Sequence, residues 1–244
     1  MHYSLVPALL LPLLSTALPA TDSKPSISWT PNQQQVVSFT GNSAVKFDNK
    51  AAGIGLGLPT RALQSAGPYS LLSYDNLGVV GITTEIAGLK PFSKPNVLGY
   101  DVVFAAQGRQ TMRAKYDESI TDFFNLKSFY FGCVVTNVIA LASAPSPCSM
   151  TVTGFRGQDQ VAQETVDFTP DGLVSNLGPA NLKNSGFEVR SGMTTRLSNN
   201  MLTGVNVDRV EFDLVGGLEK LALAVLFDNF EYDAILKKGA RYPG

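Results

Sequence analysis

The sequence predicts an all-β protein built on an antiparallel β-sandwich or barrel. Three observations carry that reading. Apolar runs are short and are separated by Gly, Pro, Asn and Asp. No stretch sustains the 3.6-residue period of an amphipathic helix. The densest apolar strip, FNLKSFYFGC (Phe124–Cys133), changes face part-way. Phe124 and Leu126 share one parity, Phe129 and Phe131 the other. A bulge or burial from both sides would produce that switch.

The elements follow in order. Residues 1–20, MHYSLVPALLLPLLSTALPA, read as a secretory signal peptide. Their apolar run is uncharged, broken by Pro7 and Pro12, too short to span a bilayer, and followed by small residues up to Ala20. Cleavage there leaves 244 − 20 = 224 residues, enough for one large β domain or two small ones. Residues 21–35 are polar and carry the lone tryptophan, Trp29, in a lead-in strand or an arm. A single sandwich domain is expected over 36–236, with a basic tail at 237–244.

Within the domain, strands are expected in VVSF (Val36–Phe39), LLSYDNLGVVGITTEI (Leu71–Ile86), VLGYDVVFAA (Val97–Ala106) and LKSFYFGCVV (Leu126–Val135). Others are expected in SMTVTGF (Ser149–Phe155), QETVDF (Gln163–Phe168), GFEVR (Gly186–Arg190), VDRVEFDL (Val207–Leu214) and LALAVLFDNFEY (Leu221–Tyr232). Helices should be few and short, at TRALQSA (Thr60–Ala66) and around Asp117–Phe123. GIGLGLP (Gly53–Pro59) lacks the last glycine of a dinucleotide fingerprint and reads as a loop between strands.

Only two cysteines occur, Cys133 and Cys148. For an exported chain without CxxC spacing they are expected to form one disulfide. Net charge is −1 and no basic block appears, which argues against a nucleic-acid partner. No segment after the signal peptide looks like a membrane anchor, so a free, secreted protein, a monomer, is expected.

The single histidine is His2, inside the signal peptide. A mature chain therefore has no Ser-His-Asp triad and no histidine-ligated metal site. KFDN (Lys46–Asn49) and LFDNFEY (Leu226–Tyr232) each place Asp-Asn after a Phe at an expected strand edge. If the first and last strands are neighbours, Asp48 and Asp228 can meet. Their oxygens, with loop carbonyls, suit a structural Ca²⁺. Turn capping by both Asp-Asn pairs is the plainer alternative.

Taken in order, FDN (Phe47–Asn49), LPTRALQSAGPYSLLSYDNLGV (Leu58–Val79), SKPNVLGY (Ser93–Tyr100), FNLKSFYFGC, CSMTVTGFRG (Cys148–Gly157), VEFDL and VLFDNFEY resemble a broad group of secreted proteins of filamentous fungi. The resemblance implies a jelly-roll-like sandwich similar to carbohydrate-binding modules, with structural calcium at Asp48 and Asp228. The group has no established activity. Here Lys94 stands where many members have proline, and the Tyr69–Tyr74 segment lacks a tryptophan that many carry.

The function expected is that of a secreted, non-catalytic sandwich binding glycan, a cell wall or a host surface, with Tyr69, Tyr74 and Tyr100 as stacking platforms. The alternatives are a carboxylate-based glycosidase or lyase, and an effector that binds a host protein. An enzyme would show two converging acids in a groove, or an acid beside a Lys and an Arg.

Overall fold

The computed structural model describes residues 23–53, 63–81, 89, 91, 93, 95–135, 144–170, 205–216 and 223–243. Among them, twelve strands form one antiparallel sheet: β1 (Ser26–Trp29), β2 (Gln35–Phe39), β3 (Gln64–Tyr69), β4 (Leu72–Gly81), β5 (Asn96–Tyr100), β6 (Gln110–Arg113), β7 (Thr121–Val135), β8 (Ala144–Pro145), β9 (Cys148–Arg156), β10 (Asp159–Phe168), β11 (Arg209–Val215) and β12 (Leu223–Leu236). The spatial order is β1-β2-β12-β5-β4-β6-β11-β9-β10. In addition, β3 pairs with β4, and β7 pairs with both β12 and β8.

The sheet folds back on itself, so the aromatic side chains of its two halves meet face to face. Phe129 of β7 meets Phe212 of β11 at 5.5 Å, edge to face, and Phe131 meets Phe168 of β10 at 6.2 Å. Phe212 reaches Phe227 of β12 at 5.1 Å. Such geometries add to the area that these rings bury. The all-β sandwich prediction holds.

The face switch in FNLKSFYFGC has a backbone cause. Phe124, Leu126, Phe129 and Phe131 are all buried, and the β7–β12 register shifts between Asp228, Glu231 and Tyr232. Asp228 opposes Tyr130, Glu231 opposes Ser128 and Tyr232 opposes Leu126. One strand gains a residue and then the other does, so paired bulges reset the parity. Asn229 takes φ +47° at that kink, a conformation that asparagine tolerates better than most residues.

Three expectations need correction; the short helix expected around Asp117–Phe123 is a turn that runs into β7 at Thr121. VLGYDVVFAA is not one strand: β5 ends at Tyr100, and a helix α1 spans Val102–Gln107. Asp101 causes the change, since its carboxylate accepts from the N–H groups of Val103 and Phe104, an N-cap that outweighs two β-branched valines. Conversely, Gln64–Ala66 of the expected helix lies in β3. It runs into a two-residue hairpin turn, with Ser70 and Leu71 at φ +46° and +71°. Tyr232 donates to the Ser70 carbonyl at 2.6 Å and Thr121 to that of Leu71 at 2.7 Å. These bonds hold non-glycine residues in the left-handed region.

Gly99 is required by close approach, because a Cβ there would lie 2.6 Å from the Val225 carbonyl. The polar stretch before β2 contains β1, which among the described residues pairs only with β2. The basic tail is fastened as well: the Tyr242 N–H donates to Gln35 at 2.6 Å and its ring meets Phe39 edge-on at 6.4 Å. At the opposite edge, Glu164 of β10 shares parity with buried Ala162, Val166 and Phe168. Burial raises its carboxyl pKa. An inward acid on an edge strand opposes pairing with a further strand. Residues 1–20, Gly186–Arg190 and most of Gly53–Pro59 lie outside the described residues.

Candidate functional site

Asp48 and Asp228 lie near each other, Asp228 inside β12 and Asp48 in the segment after β2. The bridge between Val45 and Phe230 runs the two segments antiparallel, with N–H···O distances of 2.8 and 3.1 Å. Both acids then bind the stretch leading into β5. Asp228 accepts the Ser93 N–H at 2.7 Å, the Ser93 hydroxyl at 2.9 Å and the Asn229 N–H at 2.8 Å. Asp48 accepts the Asn96 N–H at 3.1 Å. The Asn96 amide also donates to the carbonyls of Phe47, Asp48 and Lys50, at 3.1, 3.3 and 2.9 Å.

Asp228 is fully buried. Desolvation pushes its carboxyl from 3.8 up to about 6; the Ser93 and Asn229 donors oppose this, and nearby Asp48 adds to it. The Oδ1 of Asn229 is buried with no hydrogen-bond partner. A carboxylate oxygen can accept about two hydrogen bonds, and Asp228 Oδ2 takes only that from Ser93 among the described residues. Carboxylate and amide oxygens are the hard donors that a Ca²⁺ would take. Among the described residues, no three His, Cys, Asp or Glu side chains gather as a metal group. Any further ligands would have to be amide or backbone oxygens.

The tyrosines need correction. Tyr74 is fully buried, and its hydroxyl lies 3.4 Å from that of Tyr232. Tyr100 is 3% exposed and its hydroxyl has no partner. Neither ring can present a face to a sugar. Their strands, β4 and β5, run through the middle of the sheet, so what read as loop-adjacent is core. Tyr69 is partly buried at the sheet rim; it donates to Asn49 at 2.7 Å and lies under Lys50 at 5.0 Å.

Among the described residues, the aromatic that is open to solvent is Trp29, 50% exposed, beside Ile27 on β1. Arg241 of the tail stacks on the indole at 4.4 Å. The following turn closes with Thr30 N–H to Gln34 O at 2.9 Å and Gln33 N–H to Thr30 O at 3.0 Å. Beyond it lies a hollow of about 540 Å³ lined by Pro31, Asn32, Gln33, Gln34 and Lys238. Sequence reasoning noted the tryptophan but not the platform. A lone tryptophan in an otherwise polar stretch was the available signal.

Cys133 and Cys148 form the expected disulfide, with Cα atoms 6.2 Å apart. It clamps the base of the β7–β8 hairpin: Val134 and Val135 pair with Pro145 and Ala144, the Ser146 N–H donates to the Cys133 carbonyl at 2.9 Å, and Cys148 then opens β9.

No known family model matches the sequence, and no curated protein does. Among solved structures, a DUF4465 family protein from Bacteroides caccae is similar over 80% of this chain and 98% of that chain, at 12% identity and a TM-score of 0.34. So distant a likeness carries no argument about function. The resemblance to fungal secreted proteins has no counterpart among these comparisons.

Proposed function

We propose that the protein is a secreted, non-catalytic β-sandwich that binds extracellular glycan. The observation carrying this reading is the half-exposed Trp29, followed in the chain by the Pro31–Gln34 turn that lines a hollow. A flat indole supplies a stacking face for a sugar ring, and adjacent carboxamides supply donors and acceptors for its hydroxyls. A disulfide suits the oxidising compartment in which such a ligand is met. Asp48 and Asp228, with Asn229 Oδ1, would hold a structural Ca²⁺, which when bound neutralises buried charge beside β12.

Because Trp29 is the only tryptophan, its emission reports this one site. A glycan array should identify binders, and titrating them should shift the Trp29 emission. Trp29→Ala should weaken binding at least about tenfold while altering stability by no more than about 1 kcal/mol, the scale of its contact with Arg241. An array without enrichment, or a Trp29→Ala protein that binds like wild type, would remove the reading.

The enzymatic alternative also has one observation in its favour. Asp208 lies beside Lys115 and Arg209 in a second hollow. Lys115 is engaged there by Asp208 at 2.8 Å, which fits a binding role better than that of a base.

A further inference from the structure

The register rules the outer face of β4, β6, β11 and β9 into cross-strand rows. Ser73, Arg113, Arg209 and Phe155 stand opposite one another in one row. Asp75, Thr111, Glu211 and Thr153 form the next. Arg209 lies over the Phe155 ring, 4.3 Å from its centroid, a contact that restrains the planar guanidinium. At the end of the first row, a hollow of about 270 Å³ is lined by Arg113, Lys115, Gly157, Gln158, Asp208 and Arg209.

Its floor is built. Asp208 is 5% exposed, and its Oδ2 accepts from Lys115 Nζ and from the Gly157 N–H, both at 2.8 Å. That one buried carboxylate fixes both the lysine and the β9–β10 turn, where Gly157 takes φ +63°. Around it, Arg113 pairs with Asp75 at 2.5 Å, while Arg109 and Arg209 share Glu211 at 2.7 and 2.9 Å. Arg109, Arg113, Lys115 and Arg209 are thus four cations on three carboxylates, Asp75, Asp208 and Glu211. Three of these cations line the hollow, with a single acid among them.

We propose that this hollow binds the carboxylate of a uronic-acid residue in an extracellular polysaccharide. The charge surplus suits one anionic group, and guanidinium geometry matches a carboxylate. Ligand pockets for drug-sized molecules begin near about 300 Å³, so the space suits a single sugar ring. The Gln158 amide is placed for its hydroxyls. The inference takes its polymer from the extracellular-glycan reading, but shares no residue with the Trp29 hollow.

The test is calorimetric titration of the purified protein with an oligogalacturonate, its methyl ester and inorganic sulfate, with Trp29 emission followed in parallel. The acid oligomer should bind, the ester at least about tenfold more weakly, and added salt should weaken the acid form. Arg113→Gln and Gln158→Glu should each cost at least about tenfold in affinity for the acid oligomer. Gln158 is exposed on a turn, so the second variant tests the site even if the first disturbs the fold. Equal binding of acid and ester, or wild-type affinity in both variants, overturns the proposal. Sulfate binding as tight as the oligomer makes this an adventitious anion site and overturns the saccharide assignment. Unsaturated uronate products would overturn simple binding in favour of elimination. Neutral glycans that shift Trp29 emission while the acid oligomer fails to bind would remove this site and leave the glycan reading standing.

Discussion

In the presence of chelator, raising the pH from about 4 to about 7 is expected to cost the folded protein about 3 kcal/mol at Asp228, and Ca²⁺ is expected to offset that loss. The sign follows from the shift. Burial raises the Asp228 carboxyl from 3.8 to about 6, so the native state holds its proton more tightly than the unfolded chain does. Below about pH 4 both states carry the proton and the group is neutral toward stability. Stability falls as pH rises through the window between the two values, and above it the full cost of a buried charge stands. About two units at 1.4 kcal/mol each give the estimate.

A bound cation reverses the preference, because it favours the ionised carboxylates. At a hundredfold excess over its dissociation constant, Ca²⁺ should stabilise the protein by about 2.7 kcal/mol, more strongly near pH 7 than near pH 4. Asp228→Ala should abolish both the pH step and the Ca²⁺ response, and Asp48→Ala should weaken both. Denaturant melts in chelator and in Ca²⁺, at the two pH values, check this. Wild-type melts unmoved by Ca²⁺ would return both Asp-Asn pairs to turn caps.

Cys148→Ala should destabilise the protein by about 3 kcal/mol, the chain-entropy value for a loop of about 15 residues. For a domain of this size that corresponds to a fall in melting temperature of roughly 6–12 °C. The bond ties β7 to the start of β9 just beyond the β7–β8 ladder, and that two-residue ladder is the only strand pairing left beside it among the described residues. Exported yield should drop, while glycan specificity at Trp29 should persist. Two reactive thiols in the native wild-type protein would contradict the assignment, and an unchanged melting temperature would contradict the magnitude.

What could be read from the sequence divides by the range of the signal. Strand positions were legible because Met150 and Val152, or Val210 and Phe212, alternate with polar neighbours over a few residues. The parity break before Phe129 was legible for the same reason, and it locates the bulge that sets the backbone at Asn229. The helix at Val102 was missed because a local cap at Asp101 outweighed apolar composition. Burial of Tyr74 and Tyr100 could not be read, since it depends on which strands flank β4 and β5. The Arg113–Lys115–Asp208–Arg209 hollow was invisible for a related reason. Its members come from separate stretches that only the β6–β11–β9 register places side by side.

β12 pairs with β2, β5 and β7, yet it is synthesised after all three. At a translation rate of about 5–20 residues per second, the ribosome releases β2 roughly ten seconds or more before the strand that it must pair with. Such sequence-distant pairing makes folding slow, and no earlier portion of the chain can close the sheet by itself. The pairings that join β2, β5 and β7 through β12 therefore cannot form until β12 has emerged. Truncation before Leu223 should leave β2, β5 and β7 without their common partner, and so produce an insoluble product rather than a smaller folded core.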